Sequence, residues 1–125
     1  MRFKLTVESD ALLRYSPHIS HNAMRLLSTL CNFVGKDNIV CVDAKTIEEV
    51  SKLSNRFLRR ATRELKDKED IFIDSQGQTR VNPWYAWKGD WSIRRDARIG
   101  WDKGKFEPDM APAYTDYLGV PQNRS

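Results

Sequence analysis

A mostly helical α+β domain is the fold class this sequence predicts, and three observations predict it. Apolar residues recur at helical spacing in three separate stretches between Ala23 and Leu65. Two β-branched runs then flank a Gly-containing turn from Ile71 to Asn82. A last stretch, "SIRRDARIGW", again reads as helix and closes on Trp101.

The chain has 125 residues, enough for one compact core. Hydrophobic residues make up 40% and charged residues 30%, and no apolar run approaches the roughly 20 residues that span a bilayer. The amino end, "MRFKLTVESDALLRY", has no apolar core of the secretory kind, so a reducing cytoplasm is expected, with Cys31 and Cys41 as buried thiols.

Taken in order, "FKLTV" alternates weakly and "ALLRY" offers an apolar anchor before Ser16-Pro17 breaks the chain. Ser20 can cap a first strong helix that carries Ala23, Leu26, Leu27, Leu30, Cys31 and Val34 on one face. Gly35 stands where that helix would stop in the left-handed conformation. "KDN" makes a turn and "IVCV", Ile39 to Val42, a short strand. Asp43 to Leu53 reads as a second helix with Ile47, Val50 and Leu53 inward. Ser54 can cap a third helix, and "IFID", "SQGQ" and "TRVN" then form a β-hairpin. That order is the order of a winged helix-turn-helix, with the hairpin as wing and an extra C-terminal helix. Residues 1–102 are expected to form this DNA-binding domain. From Lys103 onward three of the five prolines fall in a stretch without periodicity, so 103–125 is expected to be a loosely ordered tail.

Charge is where function enters. The net formal charge is only +4, yet Ser51 to Lys68 alone holds seven positive and two negative side chains, so the rest of the chain is slightly acidic. Such local basicity is the footprint of a polyanion-binding surface. On a wheel of about 100° per residue with Arg56 at zero, Arg60, Arg63 and Arg59 fall near 40°, 340° and 300°. Leu58, Ala61 and Leu65 fall at roughly 140° to 200°, on the opposite side. A guanidinium fork suits a phosphate or the O6 and N7 edge of guanine, and the major groove admits one such helix. Asn55 and Thr62 flank the arc, and asparagine can pair with adenine. Arg80 on the return strand of the hairpin fits a backbone contact. Arg94, Arg95 and Arg98 form a second basic face opposite Ile93, Ala97 and Gly100, suited to phosphates or to acids on a partner chain.

The run "DAKTIEEVSKLSNRFLRRATRELKDKEDIFID", followed by "VNPWYAWKGDWSIRRDARIGW", resembles the winged-helix family of plasmid replication initiators. "ALLRYSPHISHNAMRLLSTL" looks like that family's first helix with its Ser-Pro approach, and "NPWYAWKGD" is the distinctive piece of a likeness that covers about Phe3 to Trp101. The resemblance implies that Asn55, Arg56, Arg59, Arg60 and Arg63 lie on a DNA-reading helix, and that Gln76, Gln78 and Arg80 belong to the wing. It also puts Ser51 at a position where a large aliphatic is usual and Lys52 at the turn glycine, and leaves Asp70 to take the left-handed conformation of a stop glycine.

Other chemistry finds little footing. "GWDKGK" has three residues between its glycines where a phosphate-binding loop has four, and Phe106 stands at the magnesium-binding position. His18, His21, Cys31 and Cys41 match no zinc spacing and read as structural. Glu48 and Glu49 point about 100° apart. Trp84, Tyr85, Trp87, Trp91 and Trp101 read as packing on the core or a second subunit, with stacking on unpaired bases as the alternative. The expectation is a non-enzymatic binder of double-stranded DNA, without cofactor, metal or membrane. It would act as two copies on a two-fold site, with the Trp-bearing last helix between them and replication or transcription proteins as further partners. A phage- or plasmid-borne transcriptional regulator is the nearest alternative, and an interaction module for an acidic protein is the alternative of another class.

Overall fold

The structure, a computed structural model, describes residues 4–106. Within them the fold is α+β and mostly helical. It runs β1 (Leu5–Val7), α1 (Ser9–Tyr15), α2 (His21–Asn32), α3 (Ala44–Ser51), α4 (Asn55–Asp67), β2 (Ile71–Ile73), β3 (Thr79–Val81), β4 (Ala86–Lys88) and α5 (Trp91–Asp102). Short 3₁₀ turns at Ser16–His18 and Lys36–Asn38 join the early helices.

Helix α2 starts as its sequence demands: the Ser20 hydroxyl accepts the N–H of Ala23 at 3.1 Å. Its apolar stripe of Ala23, Leu26, Leu27, Leu30 and Cys31 forms the centre of the core, against which α4 lays Ala61 and Leu65. Burial of each leucine contributes about 1.5 to 3 kcal/mol. Gly35 does not end this helix in a left-handed turn. The cap is Phe33, and Gly35 is extended at φ −110°, ψ −154°. A Cβ there would meet the Sγ of Cys41, the end of an exposed side chain that can turn away. Cys41 is exposed, not buried, whereas Cys31 is buried and its thiol is pushed up to about 12 by that burial.

Helix α3 is shorter than the periodicity suggests. Asp43 caps it by accepting the N–H of Thr46, and this bond holds its carboxyl below the usual range. Lys52 ends it in the left-handed conformation, φ 59°. Val50 is 52% exposed, contrary to its expected inward position. Ser51, one helical turn beyond Ile47, takes that place, is buried, and accepts the N–H of Leu53. Ser54 stands at the N-cap of α4 but makes no side-chain cap bond. At the far end Glu69, not Asp70, adopts the left-handed conformation, φ 60°. Asp70 is buried instead.

Two small antiparallel sheets complete the fold. Strands β2 and β3 form the expected hairpin, in the register Ile71 to Val81 and Ile73 to Thr79. The anticipated strand at Ile39 to Val42 reduces to single bridges, Ile39 with Arg80 and Val40 with Val34. The other sheet pairs β1 with β4, Leu5 opposite Lys88 and Val7 opposite Ala86. Buried Asn38 joins the two, its Nδ2 donating to the carbonyls of Val81 and Ala86 at 2.9 and 2.8 Å. Of the expected tail, residues 107–125 lie outside the described residues. Phe106 packs on Phe72 and Trp101, with ring centroids 5.1 and 4.7 Å apart.

Candidate nucleic-acid interface

The outer side of α4 carries the basic constellation. Arg56, Arg59, Arg60 and Arg63 are all exposed, as is Asn55, while Ala61 and Leu65 on the opposite side are buried. Among the described residues none of the four guanidiniums has a carboxylate within ion-pair distance; the ion pairs present join Arg80, Arg94 and Arg98 to Asp74 and Glu8. The acid nearest in sequence, Glu64, is turned away, its two oxygens accepting the backbone N–H and the hydroxyl of Ser20 at 2.7 Å each. Uncompensated charge on a rigid helix is therefore presented to solvent.

One flank of α4 also borders a groove of about 440 Å³. Asn55, Arg59, Thr62, Arg63 and Lys66 line its α4 side, Leu26, Leu30, Ile47 and Ile71 give it apolar walls, and Thr79 brings in the hairpin. Its components belong to four distant stretches of chain, and only the i, i+4, i+7 row of Arg59, Arg63 and Lys66 is legible locally.

At the hairpin tip Gln76 and Gln78 are exposed. Buried Asp74 organises the loop, its Oδ1 accepting the N–H of both residues at 2.9 Å. Gly77 supplies the positive φ of 78° that the turn requires. An Asp just before Ser-Gln-Gly is the sequence signal for this turn. Arg80 is not free to reach outward. Its Nε is paired with Asp74 Oδ2 at 3.1 Å and its Nη1 donates to the carbonyl of Asp37 at 2.8 Å.

The second basic face expected on α5 is not assembled. Arg94 is only 1% exposed, with Nε donating to the Pro83 carbonyl at 3.0 Å and Nη2 3.6 Å from Glu8 Oε2. Burial, with repulsion from Arg98, lowers its pKa. Arg98 lies 3.8 Å from the same Glu8 oxygen and 4.4 Å from the centre of the Trp84 ring. Ile93, expected inward, is 54% exposed, and of this trio only Arg95 is fully exposed. The helix is rotated relative to expectation because Glu8 and Pro83, distant in sequence, provide polar partners for an arginine on the inner face.

Among the tryptophans, Trp87 and Trp101 are buried, and Trp101 Nε1 donates to the Glu69 carbonyl at 2.7 Å. Trp84 and Trp91 are exposed. His18 and His21 are also exposed, and among the described residues no group of three or more His, Cys, Asp or Glu side chains is placed to hold a metal ion. No helix of the described residues is long and apolar enough to cross a membrane. Comparison with protein-family models, with curated proteins and with solved structures gives no match.

Proposed function

We propose that this protein is a winged helix-turn-helix reader of double-stranded DNA, with α4 in the major groove and the β2–β3 hairpin as the wing. The observation that carries the reading is the set of four exposed, unpaired arginines on one side of a helix whose other side is locked into the core. From Arg56 to Arg63 the helix rises about 10 Å, the span of about three base pairs. Forks on that arc suit guanine edges and phosphates together, and Asn55 at the helix start suits adenine. Gln76 and Gln78 are the wing residues left for contact. Arg80, Arg94 and Arg98 serve the fold.

The mechanism is occupancy: a bound copy blocks polymerase or gathers replication factors. The resemblance to plasmid replication initiators favours an initiator or autoregulator, with a phage- or plasmid-borne transcriptional regulator as the neighbouring role. A second reading, docking of an acidic protein, is favoured by the groove beside α4, where apolar walls meet Arg59, Arg63 and Lys66.

Selection of fragments from a random duplex pool, followed by a salt titration, tests the proposal. With about six phosphate contacts, affinity should fall about a thousandfold between roughly 50 and 200 mM salt, and a preferred sequence should persist. Failure to retain any duplex at the low-salt end would overturn it.

A further inference from the structure

We propose that the outer face of α5 is a self-association surface, and that its occupant is a second copy of this chain packed antiparallel across a two-fold axis between Arg95 and Asp96. The inference goes beyond DNA binding and does not depend on it. Two large aliphatic side chains on this face are open to solvent, Ile93 at 54% and Ile99 at 48% exposure, while Trp91, 60% exposed, stands at the Arg94 edge of the helix with its ring centre 4.8 Å from that guanidinium. Apolar groups concentrated on one helix are a mark of an interaction site, whereas single scattered ones are not.

Charge identifies the occupant. Arg95 and Asp96 sit among these apolar groups, both exposed, and neither side chain has a hydrogen bond or ion pair among the described residues. Adjacent residues on a helix do not face each other. At the positions three and four away, Arg95 has Trp91, Ser92, Arg98 and Ile99, and Asp96 has Ser92, Ile93, Ile99 and Gly100, with no opposite charge in either set. One cation and one anion without intrahelical partners do not attract a polyanion, because their fields cancel. They do complement their own copy: about a two-fold axis Arg95 meets the partner's Asp96 and Asp96 meets the partner's Arg95. In the same register Ile99 covers the partner's Ser92. Arg94 and Arg98, held inward by Pro83 and Glu8, keep this outer surface free of further positive charge.

Sedimentation equilibrium of the full chain without DNA tests the inference. The wild type should be dimeric. Arg95→Asp and Asp96→Arg, each placing like charges opposite each other twice, should weaken the dimer by more than about tenfold. The combined exchange R95D/D96R should restore it, and Ile99→Lys should disrupt it by a separate route. All these positions are exposed, so circular dichroism should be unchanged. A chain that stays monomeric up to about 1 mM, a dimer indifferent to the single reversals, or a double exchange that fails to restore association would each overturn the proposal.

Discussion

Glu64 and Ser20 are joined twice: the serine donates both its backbone N–H and its hydroxyl to the carboxylate, at 2.7 Å each. The same serine oxygen accepts the N–H of Ala23, so the first turn of α2 is capped by a residue that α4 holds in place. This arrangement fixes the orientation of the arginine helix and removes the one mid-helix acid from the arginine side. Glu64→Ala should destabilise the protein by about 1 to 2 kcal/mol, and Ser20→Ala by a similar amount. The double variant should cost clearly less than the sum of the two, a coupling that urea denaturation of the four proteins measures.

On DNA, Arg60→Ala should reduce affinity for the preferred duplex by roughly 1 to 3 kcal/mol if the guanidinium pairs a guanine. An equal loss on every duplex would make it a phosphate contact. Titration of preferred and scrambled duplexes at one salt concentration separates the two outcomes.

Arg80→Ala should behave differently. The side chain bonds Asp74 and the Asp37 carbonyl, so its loss leaves the buried Asp74 Oδ2 without its partner and loosens the hairpin. We expect a drop in stability of about 1 to 3 kcal/mol with little change in affinity per folded molecule. Thermal unfolding and binding, measured on one preparation, distinguish a fold residue from a contact residue.

Asp70 makes stability depend on pH. It is 2% exposed, and burial raises its pKa to about 6, although hydrogen bonding from Tyr15 and Tyr85 pulls the other way. A carboxyl whose pKa is raised on folding contributes stability that is full below the unfolded value and is lost as pH rises through the folded one. The loss should therefore fall between about pH 4 and 7 and amount to about 1 to 2 kcal/mol after allowing for solvent screening. Asp70→Asn, which keeps an acceptor for the Tyr85 hydroxyl, should flatten this portion of the curve in denaturation experiments across that range.

Lys52 adopts a left-handed conformation that glycine enters without steric cost. Lys52→Gly should raise stability by about 0.5 to 1 kcal/mol, read as an increased urea midpoint with an unchanged slope.

Local patterns made much of this structure readable in advance. The stripe from Ala23 to Cys31, the opposed faces of α4 and the hairpin about Gly77 each depend on residues close in sequence, and each lies where periodicity and turn chemistry place it. What eluded sequence reading depends on distant partners. The pairing of β1 with β4 joins segments at opposite ends of the domain, and three-residue strands are too short to signal a partner. Arg94 reads as a surface residue by type, but its environment is set by Pro83 and Glu8, which lie far from it in sequence. Asn38 looked like a turn residue and is one, yet its amide also joins two sheets across more than forty residues of sequence. Glu69 makes the turn expected of Asp70 because the buried site beside Tyr85 takes the Asp70 carboxyl.

The union of Leu5 with Lys88 also bears on how the molecule comes into being. During synthesis the opening strand has no mate until the ribosome has released nearly all of the domain, so α2 through the hairpin can settle first while the beginning of the chain stays unsatisfied. Glu8 arrives with that strand, and Arg94 and Arg98 acquire their shared counter-charge only when it docks. Trimming the chain ahead of Ser9 would therefore take the counter-charge from the final helix even though every arginine of α4 was intact.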